Sequence, residues 1–328
     1  MQVFITSPWV PPEFIGAHGL EPRGVWFAAE PSQLPLGAGI CAFAQAMIRL
    51  AETRPESAFI FSTHCDQLRR SFDALTLALP GRVFLFNLPA TWQGPVGERI
   101  FGSELERLGS FLLKIGGYPP TAKALGESMA RYRLARSRLI EAGADCSARQ
   151  YGEALARFHW DGTVNLGGEA QHARADGIAL ALVGGPLPTW QMDLLDAIER
   201  ARGRVVLNAT EAGERSLGLA SQPEADNTGS HALPDLLQLL TRSCLERCVD
   251  VFQRPNTRLY LWLKERLAAR QVRGILLWHF VGCDLWRAEA QSLREAFGLP
   301  VLLLAASEAG SAALRQSTRI QAFVESLG

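Results

Sequence analysis

The sequence predicts an α/β protein of two doubly wound, Rossmann-like lobes, each built on a parallel sheet. Three observations carry that reading. Short β-rich apolar runs alternate with amphipathic stretches all along the chain, which is the pattern of βαβ units. The 328 residues, 48% apolar and 20% charged, are too many for one ordinary core and too apolar for disorder. A Cys-Asp-x-x-Arg corner also follows an apolar run once in each half, in AFIFSTHCDQLRRSFDAL from Ala58 and in ILLWHFVGCDLWRAEAQSL from Ile275.

Strands are predicted at Ala58–Thr63, Val83–Asn87, Ile178–Val183, Val205–Asn208, Gly274–Phe280 and Val301–Leu304, where apolar residues run together between turn signals. Apolar residues at helical spacing predict covering helices at Ala42–Ala51, Gln67–Leu79, Gly102–Ile115, Gln191–Arg202, Leu233–Phe252, Arg258–Arg270 and Ala288–Phe297. A long polar helical stretch, Pro120–Arg157, precedes HWDGTVNLGGEAQHARAD, whose Gly, Asn and Asp content without periodicity reads as a linker. The expected division is an N-terminal lobe over 1–158, a linker over 159–176 and a C-terminal lobe over 177–328. Each lobe then has a normal domain size. The two corners place Asp66 and Asp284 at helix N-caps, with Cys65 and Cys283 just past strand ends. Ligands of open α/β sheets bind outside the carboxyl ends of strands, so two such corners predict related lobes facing each other across a cleft.

Lys+Arg 33 against Asp+Glu 33 leaves no net field to gather phosphates, which argues against a general nucleic-acid binder. The apolar stretches at Gly274–Cys283 and Leu299–Ala306 are far shorter than the roughly 20 residues a bilayer demands, so no membrane span is expected. The opening MQVFITSPWVPPEF lacks the form of a secretory leader, which points to a cytoplasmic protein. Six cysteines are too few for a disulfide scaffold and stay reduced there.

Packing is the ordinary fate of a buried cysteine. Cys65 and Cys283 differ in lying at strand ends near helix N-termini, where thiolate is favoured. Cys41 follows PLGAGI, whose glycines allow a tight turn, and opens the helix AFAQAMIRL. Cys244 and Cys248 are one helical turn apart and are assigned to an apolar face, while Cys146 is assigned no role. Three thiolates without a fourth suit an iron–sulfur cluster better than a structural zinc, but with no Cys-x-x-Cys present only the fold can gather them.

Around these cysteines the sequence resembles the 2-hydroxyacyl-CoA dehydratase and benzoyl-CoA reductase family. PWVPPEFIGAHGLEPRGVW is similar to the family's opening Pro-x-Glu-Leu-Ile-x-Ala-x-Gly-Leu-x-Pro segment. GICAFAQAMI, THCDQLRR and HFVGCDLWRAEAQSLREAFGLPVL resemble its three cluster-cysteine segments. LVGGPLPTWQMDLLDAIERARGRVVLNATEAGERS is similar to the start of its C-terminal lobe, and RQSTRIQAFVESL to its end.

The resemblance implies a [4Fe-4S] cluster in the cleft on Cys41, Cys65 and Cys283. It implies a homologous sister subunit, or a homodimer, and a separate ATP-hydrolysing iron–sulfur activator. It further implies an acyl-CoA substrate, with one electron on the thioester carbonyl allowing hydroxide to leave C2 and acidifying the β-hydrogen. No Gly-x-x-x-x-Gly-Lys-Ser/Thr is present, so this chain is expected to bind no nucleotide itself. The short segment before the Pro-Pro-Glu run leads to the expectation that a helical N-terminal extension is missing.

Ser7 and Glu30 are placed to reach the cleft as hydrogen-bonding and proton-transfer groups, and His64, beside Cys65, is read either as a donor to a cluster sulfide or proton shuttle or as a strand-end histidine that only satisfies a loop carbonyl. His279, inside a strand, is assigned to the core. Other readings of the same residues are an aromatic acyl-CoA reductase subunit, a double-cubane-type reductase and a non-catalytic bilobal binding homologue.

Overall fold

The computed structural model describes residues 1–27, 39–143, 146–166, 176–218, 232–306 and 312–328. Two parallel sheets organise the chain. The first contains β1 (Gln2–Ile5), β2 (Glu21–Gly24), β3 (Ala58–Ser62) and β4 (Val83–Phe86), in the order β2-β1-β3-β4. The second contains β5 (Ile178–Gly184), β6 (Gly203–Ala209), β7 (Gly274–Phe280) and β8 (Val301–Ala306), in the order β6-β5-β7-β8. Counted from its own start, each sheet therefore has the strand order 2-1-3-4. The two Cys-Asp corners follow the third strand of each, so the sequence echo is an echo of topology.

The central strands β3 and β7 are buried along their whole length, as strands covered on both faces must be. β1 and β2 lie outside the sequence-predicted set. β1 is only four residues long, and β2 is Glu-Pro-Arg-Gly, a composition foreign to central strands. Pro22 is tolerated because β2 is the sheet edge, where a missing N–H can face away from the ladder.

The helices are α1 (Pro12–Ala17), α2 (Ala42–Thr53), α3 (Asp66–Ala78), α4 (Pro95–Lys114), α5 (Ala122–Ala142), α6 (Ala148–Asp161), α7 (Asp193–Arg200), α8 (Leu233–Arg247), α9 (Thr257–Ala269), α10 (Asp284–Phe297) and α11 (Ala312–Glu325). The expected single stretch over 120–157 is two helices. Ser147 opens the second with a capping box, its hydroxyl accepting from Gln150 N–H while the Gln150 side chain accepts from Ser147 N–H. α8 stops at Arg247, short of Phe252, because Cys248 is extended and Asp250 turns the chain by accepting from Phe252 N–H at 2.8 Å.

α6 runs to Asp161, and residues 167–175 of the expected linker lie outside the described residues. One apolar core spans both sheets, joining Phe4, Phe59 and Phe61 to Leu180, Leu276 and Phe280. A second, under the first sheet, holds Ile5, Phe101 and Leu108 and takes Leu236, Leu240 and Cys244 from α8. Cys244 and Cys248 are buried here, in the packing role expected of them. Among the described residues no helix is long and apolar enough to cross a membrane.

Candidate functional site

In a 2-1-3-4 sheet the winding reverses between the first and third strands, and the crevice outside their carboxyl ends is where such folds bind ligands. These ends carry Thr6 and Ser7 after β1, His64 and Cys65 after β3, Gly184 and Gly185 at β5, and Gly282 and Cys283 after β7. The carboxyl ends of the two sheets come together. His64, two residues past β3, has its Nε2 3.4 Å from Oε1 of Glu211, two residues past β6.

Each of Cys41, Cys65 and Cys283 is the N-cap of a helix, namely α2, α3 and α10. This corrects the expectation for Asp66 and Asp284, which occupy the first turn instead. A carboxylate there still complements the helix dipole. The Cys41 sulfur accepts from Ala44 N–H at 3.4 Å, a cap made by a thiol where an oxygen is usual. Gly282 supports the last corner with φ +91°, a left-handed conformation that a side chain would strain.

Gln67 ties the corners together. Its Oε1 accepts from Cys41 N–H at 2.9 Å, and its amide lies 3.7 Å from where a Cβ on Gly282 would stand. Phe43, two residues past Cys41, stacks on Phe280, three residues before Cys283, with ring centroids 6.0 Å apart. The structure thus brings the three sequence-predicted cysteines to one place.

Electrostatics bear this out. Burial pushes the Cys65 thiol far above its ordinary value, and Cys41 and Cys283, once ionised, and the Glu211 carboxylate push the same way. Burial likewise raises Cys283, up to about 12, with Cys41, Glu211 and Asp250 adding to it. Cys41 is also raised, first by burial and further by Glu211. Left to themselves, all three are neutral thiols at pH 7. Among the described residues no three His, Cys, Asp or Glu side chains converge tightly enough to hold a single metal ion.

His64 is 7% exposed, and its Nδ1 lies 2.6 Å from Ser62 Oγ. Burial lowers its pKa, but the hydrogen-bonding and charge of Glu211, with Asp250 behind it, outweigh burial and raise it overall. Asp250 is itself paired with the buried Arg215, which also donates to Gly184 O at 3.1 Å and sits 4.9 Å over the Trp286 ring. Glu211 is held by its backbone, since its N–H donates to Gly185 O at 3.2 Å. The next residue, Ala212, offers its carbonyl to His159 Nε2–H at 3.1 Å.

Ser7 is buried and accepts from Trp9 N–H at 3.4 Å. It lines a small cavity with Arg136, His159 and Arg247, to which none of the three cysteines contributes. Glu30 lies outside the described residues. His279 is buried in β7, beside Phe280 O at 2.9 Å, as a core histidine. Sequence reasoning missed Glu211 and Gln67. Glu211 carried a usable signal, a charged residue just past a strand in NATEAGERS, whereas nothing in the sequence singles out Gln67.

Fold and site define a two-sheet α/β protein in which three cysteines stand at the N-cap positions of three helices where the carboxyl ends of the sheets meet. Over residues 9–327 the chain matches the family described as 2-hydroxyglutaryl-CoA dehydratase, D-component, and it belongs to that family. It is therefore a component of an acyl-CoA dehydratase-type enzyme, which works with partner subunits. A comparison with curated proteins found no match. Among solved structures, that of the SBP FpvC from Pseudomonas aeruginosa in complex with Mn2+ covers 100% of this chain and 98% of that chain, at 11% identity and a TM-score of 0.24.

Proposed function

We propose that the chain is the iron–sulfur subunit of an ATP-activated 2-hydroxyacyl-CoA dehydratase, with Cys41, Cys65 and Cys283 as thiolate ligands of one [4Fe-4S] cluster. The observation that carries this reading is the gathering of three thiols, from positions 24 and 218 residues apart, at three helix N-caps within each other's field. Such a gathering is unfavourable for free thiolates. A cationic group between them reverses the sign of the interaction, because ligation deprotonates a thiol outright. A four-iron cluster meets each thiolate at a different iron, so its ligands need not converge on a point as those of a single ion must.

When bound, the cluster supplies single electrons and, at an iron without a protein ligand, a Lewis-acid position. The chain's own residues supply the rest. The N-termini of α2, α3 and α10 direct their positive ends at the site and favour negative charge there. Gln67 fixes the Cys41 corner against the Cys283 corner. His64 holds a proton between Ser62 Oγ and the Glu211 carboxylate, one residue from Cys65. From there it can be given to a departing hydroxide, the kind of leaving group that needs general-acid help.

In this reading the chain works in the cytoplasm with a homologous partner subunit or second copy. A separate activator hydrolyses ATP, and an acyl-CoA is the substrate.

Anaerobic purification with iron and sulfide analysis tests the proposal, with about four of each per chain expected. Turnover of a 2-hydroxyacyl-CoA to an enoyl-CoA is expected only with partner, reduced activator and ATP together. A chain that stays free of iron after reconstitution overturns the cluster, and dienoyl product from an aromatic acyl-CoA overturns the dehydratase.

A further inference from the structure

Behind the first sheet lies a cavity of about 20 Å³, walled in part by Ser7, Trp26, Arg136, His159, Ser216 and Arg247. Its charges do not balance. Arg136 and Arg247 both donate to one oxygen of Glu13, Oε1, at 2.7 and 3.2 Å, and Glu13 is 1% exposed. Two guanidiniums therefore face one carboxylate, and among the described residues no other acid pairs with either. Arg247 Nη2 also reaches the Cys244 sulfur at 3.5 Å, but burial pushes that thiol up to about 12, so it brings no negative charge at neutral pH. His159, lowered to about 3 by burial, is neutral and adds no positive charge.

The polar wall also offers unused donors. Trp26 is 1% exposed and its Nε1–H has no partner. Ser7 is as deeply buried, and its oxygen accepts from Trp9 N–H, which leaves the hydroxyl proton free to be donated. A buried excess of one positive charge is costly, and unpaired buried donors add to the cost. A water would satisfy the donors but not the charge.

We propose that this cavity is a binding site for a chloride-sized monovalent anion, recognised by Arg136, Arg247, the Trp26 indole N–H and the Ser7 hydroxyl. One excess positive charge and a cavity of about 20 Å³ suit a small monovalent ion better than sulfate, phosphate or an organic carboxylate. The site is independent of any cluster. Its far wall, His159, holds Ala212 O next to Glu211, so the bound ion stiffens the loop that faces His64.

Two measurements on the full chain test this. The thermal midpoint is followed against chloride or bromide at constant ionic strength, with sulfate as the balancing salt, since an ion that binds only the folded state raises it saturably. Crystals grown with bromide are examined for anomalous scattering. The expected result is a saturable rise with either halide, none with sulfate, and one bromide peak in the cavity. Glu13→Gln removes the competing carboxylate and is expected to tighten halide binding about tenfold, while Arg136→Gln weakens it about tenfold. If Glu13→Gln does not fold, Arg136→Gln and the bromide peak decide the matter. Equal effects of sulfate and chloride, or a cavity without bromide, overturn the proposal.

Discussion

His64 Nε2 lies 3.4 Å from Glu211 Oε1, and this contact joins the carboxyl end of the first sheet to that of the second. Neither residue is more than 7% exposed, so the pair is worth more than a surface ion pair, and each depends on the other.

The first prediction follows from that dependence. In wild-type protein the pull of Glu211 overcomes burial and raises the His64 pKa. In Glu211→Gln burial remains, and the His64 pKa is expected to fall below its ordinary value. Titration of the metal-free protein by histidine NMR reads this directly. A His64 pKa unchanged in the variant would mean that Asp250 alone sets it.

Three cysteines are predicted to be individually necessary and a fourth dispensable. Cys41→Ser, Cys65→Ser and Cys283→Ser should each lose most of the iron and sulfide bound by the reconstituted chain. Cys146→Ala, in a separate apolar cluster with Leu139 and Tyr151, should keep it at a stability cost on the order of 1 kcal/mol. Full iron content in any of the first three removes that residue from the ligand set.

Glu13 sets an acid limit on stability. Its carboxyl is held down to about 2 from 4.5, because Arg247 and Arg136 together overcome a large opposing effect of burial. A depressed folded-state pKa adds stability that is full above the unfolded value and disappears as pH falls through the folded one. The contribution is about 3 kcal/mol above pH 5, lost between about pH 4.5 and 2. Glu13→Gln should abolish that part of the pH dependence and lower stability at pH 7 by about 3 kcal/mol, since it strands two buried guanidiniums. Urea unfolding across this pH range checks both.

Gly184→Ala is expected to prevent folding or to cost more than about 4 kcal/mol. Its φ is +144°, and an added Cβ would stand 1.9 Å from the Trp278 carbonyl oxygen in the neighbouring strand β7. Backbone in a sheet cannot step aside as a side chain can. Gly298→Ala, also at positive φ but with nothing near the new methyl, should cost only about 1 kcal/mol. Thermal melts of the two variants give the comparison.

What the sequence made legible was periodic or local. β3, β5, β7 and the helices after them are continuous apolar runs and amphipathic repeats, and the Cys-Asp corners announced their own equivalence. β2 was hidden because an edge strand needs little apolar content and tolerates Pro22. The start of α4 was hidden because Pro95, which opens it, is elsewhere a sign of a loop. At the site, cysteines declare themselves by rarity, whereas Glu211 and Gln67 belong to common residue types. They matter here through contacts with chain 26 to 147 residues away, Cys41 in one case and His64 in the other. Distances of that kind are set by tertiary packing and leave no trace in spacing.

The path of α8 has a consequence for how such a chain can be taken apart. It follows the second sheet's β6, yet it seals the apolar face under the first sheet with Leu236, Leu240 and Cys244, and its Arg247 closes on Glu13. Severing the polypeptide between the two sheets would leave the leading fragment unroofed and strand that roof on the trailing one. The matching 2-1-3-4 windings therefore record a likeness of plan, while the halves as they stand are interlocked through α8.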